Sequence, residues 1–165
     1  FQIPFGTIFP AAISAGTFGI TRAAVKAFTE HMASRVSVQG TVAKTEPTQL
    51  ATLAKAEADV EASICHFKSL IAQMYDAVCD GHVVTPEERL KFRADQVRST
   101  DRAIQAVDEL FRLAGSSSIN EGQDIERIWR DLHVAATHIC NVREPAYAAW
   151  GQARFGGQVP PGALY

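Results

Sequence analysis

The sequence contains few cysteines and lacks the spacings that bind metals. Its three cysteines, Cys65, Cys79 and Cys140, form no CxxC pair. An odd count without motif spacing argues against a disulfide framework and fits a reducing cytosol, so we expect a cytoplasmic protein. His133 and His138 lie five positions apart, which places them on different faces of a helix, and neither HExxH nor ExxH occurs. We therefore expect no metal site.

A strong charge of either sign and a long hydrophobic run are also missing. Lysine and arginine together number 16, aspartate and glutamate number 18, and the net charge is −2. This balance offers no electrostatic attraction to nucleic acid or to an anionic membrane surface. No apolar run reaches the roughly 18 residues that cross a bilayer. P-loops and dinucleotide fingerprints are absent as well. We expect neither nucleic acid nor a membrane as a partner.

Helical periodicity, by contrast, runs through most of the chain. Period-two alternation is absent over any useful length, so strands are not expected. The clearest helix start has Thr85 as N-cap, Pro86 at N1 and Glu88 at N3, which together make a capping box. The pattern predicts four helices, over residues 7–38, 47–79, 86–115 and 126 to about 150, the last with a kink at Pro145. Four helices with short connections predict an all-α, antiparallel up-down four-helix bundle.

The most unusual stretch is ERIWRDLHVAATHICN, residues 126–141. Arg127, Asp131, Ala135 and His138 follow one another at offsets of four, four and three, which forms one stripe on a helix. On this stripe Arg127 can pair with Asp131, and the small Ala135 leaves room for a ligand beside His138. The alternative is an ordinary surface pair, with His138 packed in the core. The residues by themselves favour this alternative.

Residues 115–141 resemble the C-terminal signature of the acyl-CoA dehydrogenase superfamily. In dehydrogenases this signature reads roughly GG-Y-G-Y, then V-E-R, then R-D and finally Y-E-G-T. Here Gly115 begins the loop, residues 125–127 match V-E-R, and residues 130–131 match R-D without a gap. Upstream, FTEHMASRVSVQG resembles the family's helix that ends in an arginine shortly before a glycine, here Arg35 and Gly40. The resemblance covers the whole chain as the family's C-terminal helical domain.

One departure from the dehydrogenase signature bears on the chemistry. The glutamate of Y-E-G-T is commonly the dehydrogenase base, and the ungapped alignment places Ile139 there, which cannot remove a proton. The combination LAGSSSI…ERIWRDLHVAATH is instead similar to flavin-dependent monooxygenases of this fold, such as 4-hydroxyphenylacetate hydroxylases and dibenzothiophene monooxygenase. This resemblance implies that His138 is a catalytic residue next to the flavin and the substrate. Imidazole titrates near neutral pH, so His138 can move protons there.

The resemblance also implies supporting roles for other residues. Arg35 would reach a flavin phosphate from the adjacent subunit, and a solvated arginine at a helix end is the alternative. The serine loop would donate hydrogen bonds to flavin or substrate, and a simple capping loop is the alternative. His133 is expected to be structural or lining rather than catalytic. The residues implied to line the site are Ser116, Ser117, Ser118, Arg130, Asp131 and His133.

The implied parent enzyme is a flavin-dependent monooxygenase. It would take reduced FMN or FAD from a separate flavin reductase, use O2 to hydroxylate or oxidise a small aromatic substrate, and form a homotetramer. Residues 1–165 would be its single C-terminal bundle domain, without the family's N-terminal helical and middle β domains, and the chain begins with Phe1 rather than methionine. We expect this chain alone to be inactive. Two alternatives stay open, an acyl-CoA dehydrogenase whose base lies elsewhere and a non-catalytic oligomerisation bundle.

Overall fold

The computed structural model of the chain describes residues 3–36, 40–120 and 122–158. Its helices are α1 (Phe5–Ser34), α2 (Pro47–Cys79), α3 (Pro86–Ala114), α4 (Asp124–Ala136) and α5 (Arg143–Arg154), with short 3-10 helices at Ala43–Thr45 and Ser116–Ile119. Within the described ranges no β-strand forms, and Val36 and Val42 make an isolated β-bridge. The predicted all-α helical bundle is confirmed, although the described residues form five α-helices where four were predicted.

The main core lies between α1, α2 and α3, because each of these helices turns an apolar stripe inward. Phe18 and Phe28 of α1 join Phe67 of α2 and Leu110 of α3 in one buried cluster. The rings of Phe18 and Phe67 lie 5.1 Å apart between centroids. Burying one side chain of this size contributes roughly 1.5–3 kcal/mol. This cluster is therefore a major source of the bundle's stability.

The first helix, α1, is long and apolar enough to cross a membrane by length and composition alone. The expectation that no segment could cross a membrane, drawn from the lack of a long uninterrupted apolar run, did not include this helix. In the structure its buried positions include Phe18, Ala24, Phe28 and Met32, which pack inside the bundle. The core helix of a bundle passes the same length and composition test. Of the most apolar 18-residue window of α1, 44% is buried inside the bundle.

The predicted start of α3 is confirmed in detail. The N–H of Glu88 donates to Thr85 Oγ1 at 3.2 Å, and the N–H of Thr85 donates to Glu88 Oε2 at 2.8 Å. Each residue thereby satisfies a backbone donor that the first helical turn leaves free. The start of α2 is capped in a similar way, since the N–H of Gln49 donates to the Glu46 carboxylate at 3.0 Å. Local sequence determines where both helices begin.

The last predicted helix is in fact two helices. α4 ends at Ala136 and α5 begins at Arg143, so the prediction of one helix to about residue 150 was wrong. Pro145 lies in the first turn of α5, where its missing N–H is not needed. In an unbroken helix Pro145 would lose the hydrogen bond to Asn141 and its ring would clash with that carbonyl. The chain instead leaves the helix earlier and forms a turn over residues 137–142, which we call the His138 turn.

Candidate functional site: the His138 turn

The His138 turn is closed by its own backbone. The N–H of His138 donates to the carbonyl of Ala135 at 3.2 Å, and the N–H of Asn141 donates to the carbonyl of His138 at 2.7 Å. The backbone N–H of Cys140 donates to Nδ1 of the His138 ring at 3.2 Å. A ring nitrogen that accepts a hydrogen bond carries no proton, so the neutral ring has its proton on Nε2. The turn thus sets both the position and the tautomer of His138.

An apolar rim lies beside the His138 ring. Phe9 meets this ring edge-on, with 6.0 Å between centroids, and Phe5 stacks on Phe9 at 5.4 Å. Phe5 is 77% exposed and Ile139, the next residue after His138, is 56% exposed. Large apolar side chains that stay exposed together mark surfaces that bind a partner or a ligand. The start of α1 and the His138 turn together form the candidate site.

A buried polar network anchors the His138 turn to α1. The Asn141 amide donates to Thr17 Oγ1 at 3.0 Å and to the carbonyl of Ala135 at 2.9 Å, and its oxygen accepts from Ser14 Oγ at 3.1 Å. Ser14, Thr17 and Asn141 are all buried. Both hydrogens and the oxygen of this amide therefore have partners inside the protein. A buried network satisfied in this way holds a single conformation.

α3 supplies a second anchor through Arg93 and Gln96. Gln96 Nε2 donates to the carbonyl of Cys140 at 3.2 Å, and Arg93 Nη2 donates to the carbonyl of Ile139 at 3.0 Å. Burial lowers the pKa of Arg93, because the charged guanidinium loses solvation. Burial also raises the pKa of the Cys140 thiol, against the opposing effect of the Arg93 charge. This cysteine is a packed, neutral thiol rather than a reactive one.

These anchoring residues were missed in the sequence. One signal was available, since Ser14, Thr17 and Thr21 recur at helical spacing on an otherwise apolar helix, and all three are buried. Small hydroxyl residues on a buried face indicate polar partners inside the bundle. Arg93 offered no such signal, because a charged residue on a helix is normally exposed. Only the packing of α3 against the His138 turn explains its burial.

The predicted helical stripe is present only in part. Arg127 pairs with Asp131 at 3.5 Å, as predicted, and Arg130 pairs with Glu126 at 3.2 Å. His138 does not continue the stripe, because α4 ends at Ala136 and the backbone has already turned. The prediction of a shared helical face was therefore wrong. Arg130 and Asp131 lie on the exposed surface of α4, between one and two turns before its end.

Arg35 ties the end of α1 to the end of α3. Its Nη1 donates to the carbonyl of Leu113 at 3.1 Å and also contacts the carbonyl of Ala114. A guanidinium in this place satisfies carbonyls that a helix C-terminus leaves free. Arg35 has an extended backbone, so α1 ends at Ser34 and not at residue 38 as predicted. The side chain also fills the space beside Gly115, where a Cβ atom would fall 2.2 Å from Arg35 Nη2.

The serine turn, Ser116–Ile119, follows directly on α3. Ser118 is buried and its Oγ donates to the carbonyl of Gly115 at 2.6 Å, as in the capping-loop interpretation. Ser116 and Ser117 are exposed, so their hydroxyl groups remain accessible from outside the bundle. α4, which is 13 residues long and therefore about 20 Å long at the rise of an α-helix, lies between this turn and the His138 turn. The two turns lie at opposite ends of α4.

His133 belongs to a different cluster, between α3 and α4. Its Nε2 lies 2.8 Å from Asp108 Oδ1, and the same oxygen accepts from Trp129 Nε1 at 2.8 Å. Trp129 stacks on Phe111 with 4.5 Å between ring centroids and also contacts the His133 ring. One carboxylate therefore connects two α4 side chains to α3. These contacts support the structural interpretation of His133.

The helical bundle has counterparts among known proteins. A family model described as acyl-CoA dehydrogenase, C-terminal domain, matches residues 11–143. The chain belongs to this family. The resemblance drawn from residues 115–141 is confirmed, and the match also covers α2, α3 and the part of α1 from residue 11 onward.

The curated relatives within this family include flavin-dependent oxygenases. The chain is 36% identical over 158 residues to the oxygenase subunit HsaA of a flavin-dependent monooxygenase from Rhodococcus jostii (strain RHA1), covering 94% of this chain and 41% of that protein. It is 34% identical over 164 residues to HsaA from Mycobacterium tuberculosis (strain ATCC 25618 / H37Rv), covering 98% of this chain and 41% of that protein. The chain therefore spans about two fifths of the length of these relatives.

Solved structures show the same fold. The crystal structure of 3-HSA hydroxylase from Rhodococcus sp. RHA1 superposes with a TM-score of 0.85 at 35% identity, covering 96% of this chain and 41% of that one. The structure of XiaF from Streptomyces sp. superposes with a TM-score of 0.86 at 21% identity, covering 96% of this chain and 41% of that one. At such low identity the second comparison supports the fold alone.

Proposed function

We propose that this chain is the C-terminal helical domain of a flavin-dependent monooxygenase that hydroxylates or oxidises a small aromatic substrate with reduced flavin and O2. The observation that carries the proposal is the His138 turn. Where the family's dehydrogenases place a glutamate base, this chain has Ile139, and His138 beside it contacts Phe9 at an exposed apolar rim. The names of the relatives support the proposal, including p-hydroxyphenylacetate 3-hydroxylase, oxygenase component, from Acinetobacter baumannii, at 27% identity.

The residues at the His138 turn fit a flavin and an aromatic substrate. Phe5, Phe9 and Ile139 offer exposed apolar surface for flat rings, and His138 adds one titratable group. A bound reduced flavin supplies the activation of O2. The tasks left to this chain are to exclude water, to contact the rings and to hold a proton in a fixed place. The remaining walls of the pocket would come from protein outside this chain.

His138 is the proposed proton-exchanging residue. Because its Nδ1 accepts the Cys140 N–H, its Nε2 carries the proton in the neutral ring. From that position the neutral ring can donate a hydrogen bond to an oxygen atom of the substrate or of the reacting oxygen, and it transfers a proton only in the doubly protonated form, in which Nδ1 no longer accepts the Cys140 N–H. The contact with Phe9 and the anchored turn limit the directions in which Nε2 can point. This geometry favours Nε2 as a hydrogen-bond donor and not as a base that removes a proton.

The cofactor and the partners follow from the same proposal. The flavin would be reduced FMN or FAD, delivered by a separate flavin reductase. The names of the relatives support a separate reductase, because they describe an "oxygenase subunit". Arg35 would contact the flavin of an adjacent subunit. Its guanidinium lies beside Gly115, and the exposed Ser116 and Ser117, which follow Gly115, would contribute to the same contact. Such a contact requires a homo-oligomer, and we propose a homotetramer built through this domain. We further propose a cytoplasmic location, as expected from the cysteine content.

A two-substrate assay on the complete enzyme separates this proposal from a dehydrogenase. We expect O2 consumption and hydroxylated product when reduced flavin and a phenolic substrate are supplied. We expect no reduction of an electron-accepting dye with acyl-CoA thioesters, because Ile139 cannot remove a proton. Rapid bleaching of enzyme-bound flavin by an acyl-CoA would contradict the proposal and favour the dehydrogenase. Absence of both activities would favour a bundle with an assembly role only.

A further inference from the structure

Arg93 is a buried cation without an acidic partner in the described part of the chain. It lies on α3 with 5% of its surface exposed, and its guanidinium contacts Gln96 Oε1 and the carbonyls of Ile139 and Cys140. Removing a guanidinium from water without a carboxylate to pair with it is unfavourable. An apolar residue would fill this place in a core more cheaply. Filling space in the core therefore does not explain why an arginine occupies this position.

The reason lies in which peptide group Arg93 holds. The carbonyl of Ile139 and the N–H of Cys140 belong to one planar trans peptide unit. Arg93 Nη2 donates to the oxygen of this peptide unit at 3.0 Å. The N–H of the same unit, which belongs to Cys140, donates to His138 Nδ1 at 3.2 Å. Because the unit is rigid and planar, a hold on the oxygen also sets the direction of the N–H. Arg93 thus acts on the ring of His138 through a single peptide group.

The charge of Arg93 strengthens this arrangement. A cation at the carbonyl oxygen polarises the peptide, which makes its N–H a better hydrogen-bond donor. Gln96 donates to the next carbonyl, that of Cys140, at 3.2 Å and keeps the turn from rotating. A lysine in place of Arg93 would present one compact charge and could not hold two neighbouring carbonyls with a planar fork.

We infer that Arg93 is a positioning residue for His138: it holds the peptide unit between Ile139 and Cys140 so that the Cys140 N–H keeps the neutral His138 ring protonated on Nε2 and pointed toward the apolar rim. This inference rests on the proposed function where it concerns catalysis, and on the geometry alone where it concerns the tautomer. Arg93 thus differs from a residue that only fills the core, because its effect on catalysis depends on His138.

A double-mutant cycle on the complete enzyme tests the catalytic part. In the wild-type background, Arg93→Met should lower the product formed per O2 consumed by about 10- to 100-fold, the scale of a misplaced catalytic group, and Arg93→Lys should lower it less. In a His138→Ala background, neither change should lower the ratio further. Leu110→Ala, in the α3 core more than four turns away, should reduce thermal stability without changing the ratio. If the Arg93 changes lower the ratio by the same factor in the His138→Ala background as in the wild type, the inference is overturned.

Nitrogen NMR of the same proteins labelled with 15N-histidine tests the tautomer without reference to turnover. The wild-type His138 ring should show a protonated Nε2 and an unprotonated Nδ1, and the Arg93 variants should show a mixture of both tautomers. A wild-type ring protonated on Nδ1, or variants with an unchanged ring signal, would overturn the inference. If Arg93→Met does not fold, Arg93→Lys decides. If the wild type forms no hydroxylated product from reduced flavin, O2 and a phenolic substrate, the proposed function fails, and the NMR result still tests the role of Arg93 in setting the tautomer.

Discussion

The rings of His138 and Phe9 meet edge-on with 6.0 Å between their centroids, and this contact joins the start of α1 to the His138 turn in one surface. Phe9 comes from the second turn of α1, and His138 comes from the turn between α4 and α5. The contact places the titratable group next to exposed aromatic surface. The chemistry expected of this surface depends on His138 itself, which the first prediction tests.

In the complete enzyme, His138→Ala should leave folding and flavin binding largely intact, because the side chain is only half-buried at an open rim. Product formation should fall by roughly 10²–10⁴-fold, the usual effect of losing a general acid or base, with reduced flavin consumed to form peroxide. Steady-state assays of product and peroxide measure both quantities.

His133→Ala is the matched control for this prediction, because His133 is a half-buried histidine on α4 that bonds to Asp108. Its turnover should decrease much less. Normal turnover in His138→Ala together with an inactive His133→Ala would show that the site lies at the cluster of His133 and Asp108 and not at the His138 turn. A lower melting temperature in both variants, with product and O2 still coupled, would assign His138 to the core.

The contacts of Asp108 predict a stability effect without a catalytic one. Asp108→Ala removes the acceptor shared by Trp129 Nε1 and His133 Nε2. Leaving these donors without their partner should lower the free energy of unfolding by about 1–2 kcal/mol. Urea denaturation followed by tryptophan fluorescence measures the change. Asp124→Ala, which removes an exposed ion pair with Arg127, should change the stability by less than about 0.5 kcal/mol.

The capping box of α3 predicts a pH dependence of stability. Hydrogen bonds from the Thr85 backbone, from His82 and from the Thr85 hydroxyl lower the pKa of Glu88 from its usual 4.5 to about 2. The folded state thus favours the carboxylate, and this contribution is present above pH 4.5 and lost as the pH falls toward 2. Glu88→Gln should therefore be less stable than wild type at pH 7, and the difference should narrow between pH 5 and pH 2.

Thermal unfolding at several pH values measures this difference. Glu87→Gln is the matched control, since Glu87 shares the first turn of α3 but is not part of the capping box. It should show no comparable narrowing. A constant difference between wild type and Glu88→Gln from pH 7 to pH 2 would contradict the assignment of the stabilisation to the Glu88 carboxylate.

The exposed apolar surface of α2 predicts self-association. Leu50, Ile71 and Tyr75 are 51%, 38% and 60% exposed, and an apolar groove of about 850 Å³ between α1 and α2 lies beside the last two. Light scattering should give a mass about four times the 17.9 kDa of the chain. Ile71→Glu should shift the protein toward smaller species, and Glu57→Gln, also on α2, should not. A monomer at tens of micromolar would contradict the tetramer.

The starts of α2 and α3 could be predicted because their signals are local. Thr85, Pro86 and Glu88 lie within one helical turn, so the capping box is complete in the sequence before any tertiary contact forms. The end of α4 could not be predicted in the same way. Pro145 predicted an interruption of the helix but not the residue at which the helix ends. That residue depends on Asn141, whose amide bonds to Ser14 and Thr17 of α1.

The sequence by itself determined the helical class, the capped starts and the family signature, because periodicity, capping and motif spacing depend on residues a few positions apart. Only the tertiary structure decided how His138 is presented. The Arg93 guanidinium reaches the peptide before Cys140 from a helix more than forty residues earlier in the chain. A buried polar group takes its partner from whatever the packing brings near it, and no local pattern encodes that choice.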